Sequence, residues 1–461
     1  MAKKRKPARR QRSRPPRREL PSRQAPRREE KPAPNSLLIR GGHVIDPAAN
    51  IDAEVDILLR DGRVAEVAPR SKLIGRAAET LDARGLIVAP GFVDLHVHLR
   101  EPGQSHKETI ASGTNAAAAG GFTAVCTMPN TAPVNDSVDV TTWMQQAARG
   151  AVVNVFPVAA ATIGSDGQQL TDYFALQRAG AVAFTDDGRP ILDDRLMREA
   201  LTLGAKLKVP IIQHAEDTRM TSGGSMNDSP SAFRLGLRGM SGDAESKIVE
   251  RDVDLARMTM GHLHVAHLST AAALKAVRRG KRDRARVTCE VTPHHFTLID
   301  DNIADYDSNF KMNPPLRSAP DREAILAALV DGAIDAIATD HAPHAAHEKH
   351  VEFDRAPFGI IGLETALALA ITKLQREKNV PLRRIIELMS TNPARIMNLR
   401  GRGTLAPGSH ADVVIFDPKK RWTYNAAQSL SKSRNTPFDG WQLSGKVVAT
   451  IVSGNFVYRS A

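Results

Sequence analysis

FVDLHVHL, residues 92–99, is an apolar run with an acid and two imidazoles set into it. Side chains alternate across a β-strand, so His96 and His98 point to one side while Val97 and Leu99 point to the other. Seven more β-type runs follow it: FTAVCTMPN (122–130), VVNVFPVA (152–159), AVAFTDD (181–187), VPIIQH (209–214), LHVAHLS (263–269), RVTCEVTPHH (286–295) and DAIATDHAPH (335–344). Between them lie stretches with a period near 3.6, such as DRLMREALTLGAKL (194–207), TAAALKAVRRG (270–280) and DREAILAALVDG (321–332). Eight β and α alternations within residues 91–400 predict an α/β chain folded as a (β/α)8 TIM-like barrel. A doubly wound open sheet is the structural alternative, but it would not gather eight strand ends round one centre.

On both sides of this middle the pattern changes to short strands with Gly, Asp and Pro turn signals. SLLIRGGHVIDP (36–47), DILLRDGRVAEVAP (56–69) and LIVAPGFVD (86–94) precede it; ADVVIFDP (411–418), KVVATIVSG (446–454) and FVYRS (456–460) follow. Residues 37–90 and 401–461 are therefore expected to form one small β-sandwich domain from both chain ends, with the barrel inserted. Residues 1–36 carry seven prolines and almost no large apolar side chains, which predicts a disordered tail.

The net charge of +12 suggests a nucleic-acid binder until the charges are located. Residues 1–31 hold fourteen Lys or Arg against three Glu, so the rest of the chain is close to neutral. The tail reads either as a solvated extension or as an attractor for nucleic acid or an acidic partner; no aromatic residue interleaves its charges for stacking. Cys126 and Cys289 stand far apart, outside any CxxC pair, which argues against a disulfide framework and for a reducing, cytoplasmic setting. No apolar stretch reaches the roughly 18–20 residues of a membrane span.

Chemistry concentrates at the carboxyl ends of the expected strands. A lone HxH decides little, but Asp187, His214, His267 and Asp340 occupy further strand ends. Together with His96 and His98 they offer four imidazoles and two carboxylates, enough for two divalent ions if one carboxylate bridges. Burying so many polar groups around nothing would be costly. The ligand types favour zinc first, with manganese or cobalt as alternatives. Two such ions would polarise a carbonyl and bring the pKa of a shared water toward about 7, which makes the reaction a hydrolysis. Asp340 is the candidate general base and acid as well as a ligand.

DLHVHLREP (94–102) and ATDHAPHAAHEK (338–349) resemble the two signature segments of the dihydroorotases, and the flanking β segments resemble the wider cyclic amidohydrolases. The resemblance runs from about Leu37 to the carboxyl terminus. It implies one metal on His96, His98, Asp187 and Asp340, and a second on Asp187, His214 and His267. Many relatives bridge with a carboxylated lysine; FTDDG (184–188) has none, so Asp187 is expected to bridge, with Asp186 as its immediate rival. It also implies substrate contacts from His98, Arg100, Asn130, Asn313 and His344 and from the backbone at Phe358 and Gly359. Arg100 would pair with the substrate carboxylate through its planar fork.

The activity implied is reversible hydrolysis of (S)-dihydroorotate to N-carbamoyl-L-aspartate in pyrimidine synthesis, with a homo-oligomer or an aspartate carbamoyltransferase as possible protein partners. An allantoinase or hydantoinase would share the fold and histidines, but Arg100, ATDHAPH and the missing lysine favour the first reading. A catalytically silent partner of the carbamoyltransferase should have lost ligands, and this chain keeps the set.

Overall fold

The computed structural model describes residues 33–69 and 77–460. The chain is α/β. Its middle contains three parallel sheets: one of strands Phe92–Val97, Phe122–Thr127 and Asn154–Pro157, another of Pro210–Gln213, His262–Val265, Val287–Val291 and Ala336–Ile337, and a small pair of Met226–Asn227 with Gly239–Met240. Every pairing within the two larger ones is parallel, so each strand is followed by a helical return over the outside. Single parallel bridges link Ala159 to Phe184, Phe184 to Ile211 and Val97 to His341.

The helices form where the sequence supplies both a face and a start. Asp194–Leu207 is capped by Asp193, whose carboxylate accepts from the Leu196 N–H, and buries Leu196, Met197, Ala200, Leu201 and Gly204 along one stripe. Its last turn closes at Lys208 in the left-handed region. Thr270 caps Ala271–Arg282 and Ser318 caps Ala319–Asp331 in the same manner.

AVAFTDD does not form the regular strand its composition suggests. Only Phe184 makes bridges, although the Val182 N–H donates to Pro157, the Thr185 N–H to Ala159 and the Ile212 N–H to the Phe184 carbonyl. The segment thus lies between its two neighbours but leaves the ladder early, where Asp186 turns its carboxylate to Thr162 and Asp187 turns its own toward His96, His98, His214 and His267. RVTCEVTPHH is likewise shorter than expected: the strand ends at Val291, and Pro293 starts a short helix, Pro293–Thr297.

Strands from both chain ends make two further sheets. One has six strands in the order Asn455–Arg459, Gln442–Val452, Val413–Thr423, Ile87–Pro90, His43–Asp46, Ile51–Glu54; the other has Arg63–Ala68, Asp56–Arg60, Ala33–Arg40, Ala77–Asp82. They share one apolar cluster, to which Leu37, Ile39, Ile57 and Leu59 come from the smaller sheet and Val44, Val88, Val413, Ile415 and Ile451 from the larger. Most of the expected tail lies outside the described residues. Its last four residues do not belong to a tail: the first strand begins at Ala33, and the Ser36 hydroxyl accepts from the Ala78 N–H. Asn35 and Ser36 read as tail because composition registers their polar side chains and not the backbone pairing that places Ser36 in the strand.

Candidate active site

Six polar side chains meet at the carboxyl ends of the parallel strands. His96 sits within its strand, and His98, His214, His267 and Asp340 lie one to three residues beyond theirs. Asp187 follows the Phe184 bridge. Asp94 ties the first of these elements to the last, since its carboxylate accepts from the N–H groups of both His96 and Thr339. All six side chains are buried.

The distances define a single cluster. His96 Nε2 lies 3.3 Å from Asp187 Oδ1 and 3.4 Å from Asp340 Oδ1, and His98 Nε2 lies 3.0 Å from Asp340 Oδ1 and 3.6 Å from Asp187 Oδ2. On the other flank Asp187 Oδ1 is 3.7 Å from His214 Nδ1 and 3.6 Å from His267 Nε2. His96, Asp187 and His267 form one group able to hold an ion, and His96, His98 and Asp340 another. Asp186 points elsewhere, accepting from the Thr162 N–H at 2.8 Å and the Thr162 hydroxyl at 2.5 Å.

The outer hydrogen bonds decide which atoms face inward. A carboxylate only accepts, so Glu290 Oε1, 2.9 Å from His96 Nδ1, places the proton on Nδ1 and leaves Nε2 as a lone pair. Asn130 Oδ1, 2.8 Å from His98 Nδ1, does the same for His98, and Glu216 Oε2, 3.0 Å from His214 Nε2, leaves the lone pair of His214 on Nδ1. Lone pairs of three imidazoles therefore converge on two carboxylates. Acceptors facing acceptors in a buried space need cations between them. Consistently, His96 Nε2 and Asp187 Oδ1 are buried without a hydrogen-bond partner. The donor set suits a divalent metal of the zinc type, so the residues present fit such ions.

Charge follows the same geometry. Burial opposes ionisation of Asp187, and where no cation intervenes it is positive charge on His96 and protons donated by His214, His267 and His96, standing where a cation would stand, that hold its carboxyl well below the usual range. Burial likewise works against a charged Glu216, but His214, Thr221 and Asn313 bring it down to about 2.

Three site residues adopt positive φ without being glycine: Arg100 at 61°, His267 at 31° and Asp340 at 44°. Such backbone costs on the order of 1–3 kcal/mol per residue and persists where the surroundings impose it, commonly at functional sites. Over the cluster lies a cavity of about 200 Å³, lined among others by Arg100, Asn130, Met312, Asn313, His344 and Phe358. A larger cleft of about 600 Å³, with Lys208, Arg395 and Arg400 in its wall, lies beside the entry ends of the strands and has neither imidazole nor carboxylate in its lining.

The Arg100 Nε donates to the Pro343 carbonyl, and among the described residues no carboxylate pairs with its guanidinium. Burial lowers its pKa to about 10, which leaves it charged at neutral pH. His344 donates from Nε2 to the Phe358 carbonyl at 2.9 Å. Burial and then the nearby Arg100 charge push its pKa down to about 2, so the ring is neutral. Gly359 departs from expectation: its N–H donates to the Lys311 carbonyl and its C=O accepts from Asn435 and Lys349. Its backbone is committed to the wall, and its place in the site is to let His344 pack closely. The supports Glu290 and Glu216 were missed by sequence reading. Their signals were an acid inside the apolar run VTCEV and an acid two residues past His214.

Fold and site together define the class: a cyclic amide hydrolase with candidate metal-ligand clusters. The dihydro-orotase-like family profile matches residues 85–273. The chain is 52% identical over 419 residues to a dihydroorotase of Solibacter usitatus, covering 91% of this chain and 97% of that one. A dihydroorotase of Anaeromyxobacter dehalogenans is 50% identical over 426 residues, covering 92% and 98%. Among solved structures, the L-hydantoinase (dihydropyrimidinase) of Arthrobacter aurescens superposes with a TM-score of 0.82 at 25% identity over 92% of this chain and 96% of that one. The dihydropyrimidinase of Brevibacillus agri gives 0.79 at 22% identity over 92% and 95%. The chain belongs to the dihydroorotase family.

Proposed function

We propose that this chain catalyses the reversible hydrolysis of (S)-dihydroorotate to N-carbamoyl-L-aspartate, in pyrimidine synthesis, within the cavity over the His–Asp cluster. The observation that carries the reading is a cavity with two unlike ends. One end gathers inward-facing lone pairs, and the other presents the buried, unneutralised guanidinium of Arg100. A cyclic ureide bearing a carboxylate matches both.

His96, His98, Asp187 and Asp340 would hold one divalent ion and Asp187, His214 and His267 a second. Zinc is the first candidate, with manganese or cobalt as alternatives. When bound, the ions would supply Lewis-acid polarisation of the ring carbonyl and acidify the attacking water. Asp340 takes that water's proton and returns it to the departing ring nitrogen; ring closure runs the same path backwards. Arg100 grips the carboxylate through two parallel donors, while Asn130, Asn313, His344 and the Phe358 wall orient the ring. Asn130 and Asn313 have a second task, since they also brace His98 and Glu216.

The parallel pairings and the bridges at Ala159, Phe184, Ile211, Val97 and His341 support an eight-strand barrel closed on itself, spanning residues 91–400. The apolar cluster shared by the two sheets of chain-end strands supports a β-sandwich domain from 37–90 and 401–461. Both cysteines are free and buried, which suits a cytoplasmic setting, and no helix among the described residues is long and apolar enough to cross a membrane. Assembly as a homo-oligomer or with an aspartate carbamoyltransferase rests on the family resemblance.

A hydantoinase-type activity is the second reading, favoured by the solved structures the chain superposes on. Purified protein of measured metal content, assayed on dihydroorotate, hydantoin and allantoin, separates the two. Dihydroorotate should turn over fastest; faster turnover of either competitor would overturn the proposal.

A further inference from the structure

Beneath the cluster a line of polar groups runs away from the cavity into the interior. His96 Nδ1 is 2.9 Å from Glu290 Oε1, and Glu290 Oε2 is 3.1 Å from His264 Nε2. His264 Nδ1 is then 2.8 Å from Thr288 Oγ1, which is 2.8 Å from His262 Nε2. Two adjacent parallel strands build the line. Their register pairs His264 with Thr288, so alternate residues 262 and 264 meet alternate residues 288 and 290. Glu290 and His264 are at most 1% exposed, and Thr288 and His262 are half-buried.

The direction of every bond follows from the one acceptor-only member. Glu290 must receive N–H donors from both rings, so His264 carries its proton on Nε2. A neutral imidazole has one donor and one acceptor nitrogen, which makes His264 Nδ1 the acceptor for the Thr288 hydroxyl. Thr288 in turn accepts from His262 Nε2–H. Donors therefore run from His262 through Thr288 and His264 to Glu290 on one side and from His96 to Glu290 on the other, and the outcome is the inward lone pair on His96 Nε2. His264 itself does not line the cavity.

We propose that Glu290 and His264 are positioning residues that set the affinity of the metal site through His96. The proposal rests on the reading that His96 is a metal ligand. Glu290 is closed off from water, so its second oxygen depends on His264. Without that donor, a buried carboxylate oxygen is left unpaired and the group is free to turn away from His96. A ligand imidazole that loses its orienting carboxylate typically loses about 10- to 100-fold in metal affinity. A merely structural polar cluster would affect stability and leave metal affinity alone.

The test measures Zn2+ affinity of the full chain by competition with a chromogenic chelator, in wild type and in His264→Phe, His264→Gln, Glu290→Gln and His96→Ala. His264→Phe keeps the ring volume and removes the donor. It should weaken binding by about 10- to 100-fold, with turnover recovering as Zn2+ is raised. His264→Gln, whose amide can donate to Glu290 and whose carbonyl can accept from Thr288, should bind near the wild-type level. A folded His264→Phe with wild-type affinity would overturn the proposal, as would a His264→Gln as weak as His264→Phe. Should His264→Phe not fold, the isosteric Glu290→Gln decides alone, and wild-type affinity there also overturns it. A His96→Ala chain that retains its full metal content would instead sink the ligand reading underneath.

Discussion

Neighbouring residues 186 and 187 differ in where their carboxylates are spent, and that difference was the least legible part of the site. Sequence alone offers two adjacent aspartates after an apolar run; alternation says that only one faces inward, and it cannot say which. Asp186 is bound twice to Thr162, whereas Asp187 stands among His96, His98, His214 and His267. Asp187→Ala should therefore drop metal content below one ion per chain and lower turnover by at least about 100-fold. Asp186→Ala should keep its metals and instead lose roughly 1–3 kcal/mol of stability, from the stranded Thr162 donors. Metal stoichiometry of the two variants checks this; a metal-replete Asp187→Ala beside a metal-free Asp186→Ala would reverse the assignment. Arg100 gives a second residue-scale expectation. Arg100→Lys should lower kcat/KM for dihydroorotate by about 10- to 100-fold, because a point charge does not reproduce the planar fork. Hydantoin carries no carboxylate, so any turnover of it should change far less; equal losses on both would remove the carboxylate role. Glu290 and Glu216 escaped notice because their partners are set by tertiary structure: Glu290 meets His96 from 194 positions away.

At the scale of elements, periodicity located helices well and irregular strands poorly. Asp194–Leu207 coincides with the stretch DRLMREALTLGAKL, since an amphipathic stripe with an Asp cap is written into local sequence. AVAFTDD has equally β-like composition, yet its ladder is interrupted because the chain must turn Asp187 toward the site. The wall segment around Phe358 was legible only as a set of matching residues, and its packing was not. A Cβ built on Gly359 would stand 2.5 Å from the Ala342 carbonyl oxygen and 2.6 Å from His344 Cδ2. Those contacts leave no room for a methyl group, so Gly359→Ala must displace His344 or the Phe358 carbonyl it binds. Displacement on the order of 1 Å near reacting groups can cost about 100-fold. We expect kcat/KM to fall by about 10- to 100-fold while metal content stays at the wild-type level. Unchanged kinetics in that variant would show that His344 has no fixed position to lose.

Across the whole molecule, the charge and the chemistry lie in different places. Most of the net charge belongs to residues 1–31, while the site is built from buried groups in the middle of the chain. The first strand begins at Ala33, so a truncation that removes residues 1–32 spares it. That variant should keep kcat and KM within about twofold; if the tail binds nucleic acid, only that binding should vanish, and it should have been steeply salt-dependent. A large loss of activity in the folded truncation would make the tail part of the working enzyme. The last expectation concerns the ions themselves. The cluster sets lone pairs of His96, His98 and His214 against Asp187 and Asp340 inside the protein, an arrangement that repels itself unless cations intervene. Ions bound to the folded state alone stabilise it by linkage, about 2.7 kcal/mol at a free concentration 100 times Kd. Stripping with a chelator should then lower Tm by roughly 5 °C, and adding Zn2+ back should restore it. Asp187→Ala provides the control, because a chain that no longer holds the pair has little left for the chelator to remove. Its Tm should start low and move little. If verified removal of the metals left the wild-type Tm unchanged, the converging lone pairs would have to be stabilised by protons, and the cluster would be a hydrogen-bonded network in place of a metal site.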